Sequence, residues 1–108
     1  MENKNKRIFL VSRHPGAIRW LQRQGHGPVI HRAHLDLNEI RPGDRVIGTL
    51  PVHMAAQVCK IGAEYHHLAV DIPPELRGVE LDEQTMAACD ARLVPCRVEM
   101  DEQTGDHP

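Results

Sequence analysis

The chain predicts a three-layer α/β domain built on a mostly parallel sheet of four to five strands. Three observations carry this expectation. Apolar runs of strand length alternate with helical patterns along most of the 108 residues. The first run, Ile8, Phe9, Leu10, Val11, is apolar at every position, as strands buried on both faces are. The runs pass straight into turns that hold a proline at or near a helix start, and right-handed crossovers of that kind place helices on both faces of a sheet. The length suits one domain, taken as residues 1–100 with a polar tail over 101–108.

In order, Met1 to Lys6 is polar and basic and reads as a frayed end. A first strand is predicted over Arg7 to Val11. From Pro15 to Gln24, Ala17, Ile18, Trp20 and Leu21 recur at helical spacing with Arg19, Gln22 and Arg23 between them, and Gly25 supplies a stop. Val29 to His34 reads as a second strand. Asp36, Asn38, Pro42 and Gly43 then leave room for at most one helical turn. Arg45 to Leu50 is the third strand, and Met54, Ala55, Val58, Cys59 and Ile61 mark one face of the helix that Gly62 ends. Tyr65 to Val70 is the fourth strand, delivering Asp71 to Pro74 to the same edge. Asp82 caps a third helix containing Met86, Cys89 and Leu93, Pro95 breaks it, and Cys96 to Met100 forms a short edge strand. A strand order with the first strand central sets the turns after strands one and three side by side.

Composition removes several function classes. Thirteen Lys and Arg against fifteen Asp and Glu give a formal charge of −2, which argues against a general duplex-binding surface but leaves a local basic pocket open. One Trp, one Tyr and one Phe are too few for a base-stacking platform. Cys59, Cys89 and Cys96 lack the paired spacing of a zinc site, and Cys59 falls on an apolar helix face as a small core residue. With no secretory signal or long apolar segment, a cytoplasmic protein without membrane attachment is expected. Eight histidines invite a metal reading, yet His66 and His67 point to opposite faces of a strand and no close Cys/His set forms around His31 and His34, so no metal is expected.

The segment Ser12, Arg13, His14, Pro15, Gly16 stands at the end of the first strand and opens the first helix. Free N–H groups and the positive helix end face the same place as the Arg13 guanidinium, an arrangement suited to an anion. The alternative is a polar loop with a solvated arginine. The junction Gly48, Thr49, Leu50, Pro51, Val52, His53 repeats this logic.

These blocks also carry a resemblance. Val11 to Ile18, Ala33 to Asp36, Pro42 to Asp44, Gly48 to His53 and Asp71 to Gly78 together resemble a small CRISPR-associated family found beside type III interference systems, over roughly Ile8 to Met100. The resemblance implies a Rossmann-like fold related to domains that sense cyclic oligoadenylate. It also implies membership among the ring nucleases that cut this messenger and switch the antiviral response off.

A ring of phosphodiesters needs a small, locally positive pocket with backbone donors. RNA carries its own nucleophile, the 2′-hydroxyl, so the protein need only align it, stabilise developing charge and move protons, with no cofactor. On this reading Arg13 stabilises the phosphorane, and His14 or His53 acts as general acid or base. Ser12 and Thr49 donate hydrogen bonds, and Gly16 and Gly48 leave room for the ring. Asp36 either binds ribose hydroxyls or stabilises its own turn, His14 alternatively caps its helix, and His53 alternatively sits on the surface. A two-fold homodimer with the ring near its axis is expected, since two copies of one short motif can grip opposite phosphates. Two other classes stay open: a module that binds the ring without cutting it, and an interaction subunit with no nucleotide site.

Overall fold

In the computed structural model, which describes residues 6–101, the chain forms a small α/β domain with a five-stranded sheet and three α-helices. The strands are β1 (Ile8–Val11), β2 (Ile30–Arg32), β3 (Arg45–Gly48), β4 (Glu64–Ala69) and β5 (Arg92–Cys96). The helices are α1 (Pro15–Arg23), α2 (Val52–Ile61) and α3 (Glu83–Ala88). The sheet order is β2-β1-β3-β4-β5, with β1 to β4 parallel and β5 antiparallel at the edge. The expected neighbours of the first strand are therefore present on both sides of it.

Strand alternation sorts the core into two clusters. Phe9, Val46 and Tyr65 are register partners on one face and pack with Ala55 and Val58 of α2. Leu10 and Ile47 point the other way and pack with Ala17, Trp20 and Leu21 of α1 and Met86 of α3. Side chains of β1 and β3 are thus buried on both faces, which is why their runs are apolar without alternation. The helices end where glycine was expected to end them: Gly62 follows α2 at φ 103° and Gly25 lies just beyond α1 at φ 79°. Cys59 is half-buried at the α2 cluster, its Sγ accepting the Val98 N–H at 3.4 Å.

The opposite, amino-terminal edge of the sheet is held by charge. Asp44 is only 4% exposed, and its carboxylate accepts from Arg7 at 2.7 and 3.2 Å and from the Arg41 N–H at 2.8 Å. Burial works against the charged form, but the Arg7 and Arg41 hydrogen bonds outweigh it and hold the carboxyl below its usual range. Glu64 receives Lys6 and Arg45, which bring its carboxyl down to about 2.

Two elements depart from expectation. The third helix stops at Ala88 instead of running on toward Leu93, because Asp90 adopts a left-handed φ of 60° and reverses the chain. The last strand then begins at Arg92, so Leu93 and Pro95 lie inside it, and of the stretch Cys96 to Met100 only Cys96 is strand. Pro95 pairs with His66 in an edge strand, where a missing N–H is tolerated. The expected frayed start and polar tail fall almost wholly outside the described residues. Among the described residues no helix is long and apolar enough to cross a membrane.

Candidate functional site

The β1–β3 pairing sets Val11 against Gly48, so the two turns of interest leave adjacent parallel strands at the same edge. The first turn is fixed from within and from β2. The Ser12 Oγ accepts the His14 N–H at 3.1 Å, and the Ser12 N–H donates to the Arg32 carbonyl at 3.0 Å. His31 reaches across from β2, its Nε2 standing 2.7 Å from the Ser12 carbonyl; because that oxygen only accepts, Nε2 carries the hydrogen. Arg13 and His14 extend from this braced turn into solvent.

The second turn is braced by Tyr65, whose buried hydroxyl accepts the Leu50 N–H at 3.0 Å and donates to the Gly48 carbonyl at 2.9 Å. Burial raises the phenol above its ordinary value, against a smaller opposing effect of the Leu50 N–H. Thr49 and His53 are exposed beyond it. Neither α1 nor α2 has a side-chain N-cap. Pro15 has no N–H and the Ala17, Met54 and Ala55 N–H groups donate to the His14 and Pro51 carbonyls, which leaves those of Gly16, Val52 and His53 without a partner among the described residues, on the side where Arg13 supplies positive charge. The side chains of Arg13, His14, Thr49 and His53 have no hydrogen bond or ion pair to other described residues.

Ser12, Arg13, His14, Gly48, Thr49 and His53 are thus carried by two neighbouring strand ends. Asp36 follows β2 and accepts the Asn38 N–H at 3.0 Å, so its carboxylate holds its own turn. The two glycines have packing reasons. A Cβ on Gly16 would stand 2.3 Å from the Leu81 carbonyl oxygen, and one on Gly48 would stand 2.7 Å from that of Val11. The room each glycine provides is filled by protein backbone.

Beside the turns lie two grooves. One of about 930 Å³ runs past the end of β4 and is open to solvent, with Asp71, Pro73, Arg77 and Cys89 among its lining residues. A smaller one, of about 340 Å³, separates α1 from the 80–82 segment and borders Pro15, Gly16 and Arg19. Neither includes a residue of the Gly48–His53 turn. No group of three His, Cys, Asp or Glu side chains among the described residues is placed to hold a metal ion.

Sequence reasoning passed over Tyr65, His67 and His31. Tyr65 reads as an ordinary strand residue, and His67 and His31 as members of a metal set that the spacing rejects. The available signal was positional, since parallel pairing puts His67 opposite Gly48.

No curated protein and no solved structure matches the chain. The model of one family, described as "Putative CRISPR-associated protein (Cas_VVA1548)", matches residues 9–99, which take in every strand but the first residue of β1, all three helices and both turns; the chain belongs to that family.

Proposed function

We propose that the protein binds and cleaves cyclic oligoadenylate, with cyclic tetra-adenylate the ring of choice, and so ends signalling by a type III CRISPR system. The observation that carries this reading is the pairing of Val11 with Gly48, which sets two helix N-termini without side-chain caps on one edge together with Arg13, His14 and His53. Membership in a CRISPR-associated family supports the same reading. The fold on this reading is Rossmann-like, and the working unit is a homodimer, because the two turns of one subunit form an open rim that a second copy would close over a ring.

The protein's task is to align a ribose 2′-hydroxyl with the adjacent phosphorus. The 2′-oxygen forms the new bond, the bond from phosphorus to the 5′-oxygen breaks, and the products are linear with a 2′,3′-cyclic phosphate. Arg13 and the unpartnered N–H groups of Val52 and His53 stabilise the charge on the phosphorane, while Ser12 and Thr49 fix phosphate or ribose. The imidazole of His14 or His53 moves a proton.

The test is incubation with cyclic tetra-adenylate in EDTA, with bound, intact and cleaved nucleotide resolved and the product ends identified. Linear products ending in 2′,3′-cyclic phosphate are expected. Intact nucleotide held by the protein would replace cleavage with sequestration, and no binding would leave an interaction subunit.

A further inference from the structure

Tyr65 and His67 stand two residues apart on β4 and share the face that α2 covers, their rings edge to face with centroids 5.9 Å apart. The Tyr65 hydroxyl meets three groups: the Leu50 N–H at 3.0 Å, the Gly48 carbonyl at 2.9 Å and His67 Nδ1 at 2.8 Å. A phenol has one proton to give. The Gly48 carbonyl can only accept, so it takes that proton, and the Leu50 amide can only donate, so it occupies one lone pair of the oxygen. The second lone pair faces Nδ1, which must then carry a hydrogen. The reverse arrangement, with the phenol donating to Nδ1, would leave two oxygens 2.9 Å apart with no hydrogen between them in a buried place. Burial also keeps the phenol protonated near neutral pH.

A neutral imidazole with hydrogen on Nδ1 has a bare lone pair on Nε2. That nitrogen has no hydrogen-bond partner among the described residues. No fully buried polar side-chain atom among them lacks a partner, so Nε2 reaches solvent. Its place is the one the candidate site needs, because His67 is the register partner of Gly48 and Gly48 that of Val11. The ring therefore stands in the row from which both turns leave the sheet.

We propose that His67 is the proton acceptor of this site and that Tyr65 is the positioning residue that sets its tautomer. The proposal rests on the ring-cleavage reading above. The 2′-hydroxyl proton passes to Nε2 as the 2′-oxygen bonds to phosphorus, and the departing 5′-oxygen takes a proton from the imidazolium of His14 or His53. A base held by a third group in the tautomer that exposes its lone pair is the recurring logic of activated nucleophiles.

The tautomer is read in the protein alone by nitrogen-15 correlation spectra of the imidazoles at about pH 8, above the ordinary histidine range. Wild type is expected to show His67 with hydrogen on Nδ1, and Tyr65→Phe to release it to the Nε2–H form. A wild-type Nε2–H signal overturns the assignment. His67→Asn keeps an amide donor toward Tyr65 and removes the base; it is expected to lower the cleavage rate by about 10²-fold or more with binding of cyclic tetra-adenylate changed less than about 3-fold. Free imidazole is expected to restore part of the rate to His67→Ala. Wild-type cleavage alongside an undiminished His67→Asn overturns the role of His67 alone, whereas a wild-type chain that leaves the ring intact overturns the cleavage reading and this proposal together.

Discussion

Replacing Gly16 by Ala perturbs the point where α1 meets the segment leading into α3. At the second position of a helix the change alone would favour folding by about 0.5–1 kcal/mol, since alanine loses less freedom than glycine. Packing opposes it. The new Cβ would lie 2.3 Å from the Leu81 oxygen, 2.6 Å from the Asp82 carbonyl carbon and 2.7 Å from its Cα, all backbone atoms that no side-chain rotation can move away. Relief to ordinary contact requires a displacement of roughly 1 Å between the two segments. That displacement also pulls on Asp82, whose carboxylate caps α3 by accepting the Thr85 N–H at 2.7 Å. Overpacking of this kind costs up to about 3 kcal/mol, so the net loss is about 2 kcal/mol. For a domain of this size that corresponds to a fall in Tm of about 8–16 °C, read by circular dichroism. A variant at or above the wild-type Tm would refute the packing account of Gly16.

Arg13→Ala is expected to lower cleavage of cyclic tetra-adenylate by about 10²-fold or more, the usual loss for one donor to a developing charge, and to leave stability within about 0.5 kcal/mol because the side chain is exposed. Asp44→Asn removes the buried charge and turns one of the two oxygens that accept from Arg7 and the Arg41 N–H into a donor, and should cost about 2 kcal/mol in urea unfolding, with rates per folded molecule unchanged. Glu64 has a folded value of about 2 against an ordinary 4.5, so its stabilisation is complete above 4.5 and disappears as pH falls toward 2. Asp44, also lowered, adds in the same direction. Acid unfolding should therefore steepen over that window, and Glu64→Gln should flatten the profile; an unchanged profile would deny the linkage.

The parallel core was legible because burial on two faces leaves a mark in composition. Phe9 with Leu10 and Val46 with Ile47 are consecutive apolar residues that serve opposite clusters. The helix stops were equally plain, since Gly25 and Gly62 take φ values that other residues resist. The carboxyl-terminal part was not legible. Nothing in Cys89, Asp90, Ala91 announces that a non-glycine residue will turn the chain there, and Pro95 reads as a breaker until the strand holding it is known to be an edge. In the site, strand-end position picked out Ser12, Arg13, Thr49 and His53, whereas Gly16 and Gly48 read as space for a ligand because a pattern cannot tell ligand from the backbones of Leu81 and Val11. The Tyr65 hub depends on a side chain reaching from one strand to the turn after its neighbour, a contact that periodicity does not encode.

If the two turns form one site for a cyclic oligoadenylate, a single binding event reaches both. Titrating nitrogen-15-labelled protein with cyclic tetra-adenylate and following each backbone amide tests it most directly. Saturable shifts are expected at Ser12, Arg13, His14 and Gly16 and at Thr49, Leu50, Val52 and His53 together, following a single binding curve. Shifts confined to the groove beyond β4, around Asp71 and Arg77, or to one turn without the other, would contradict it.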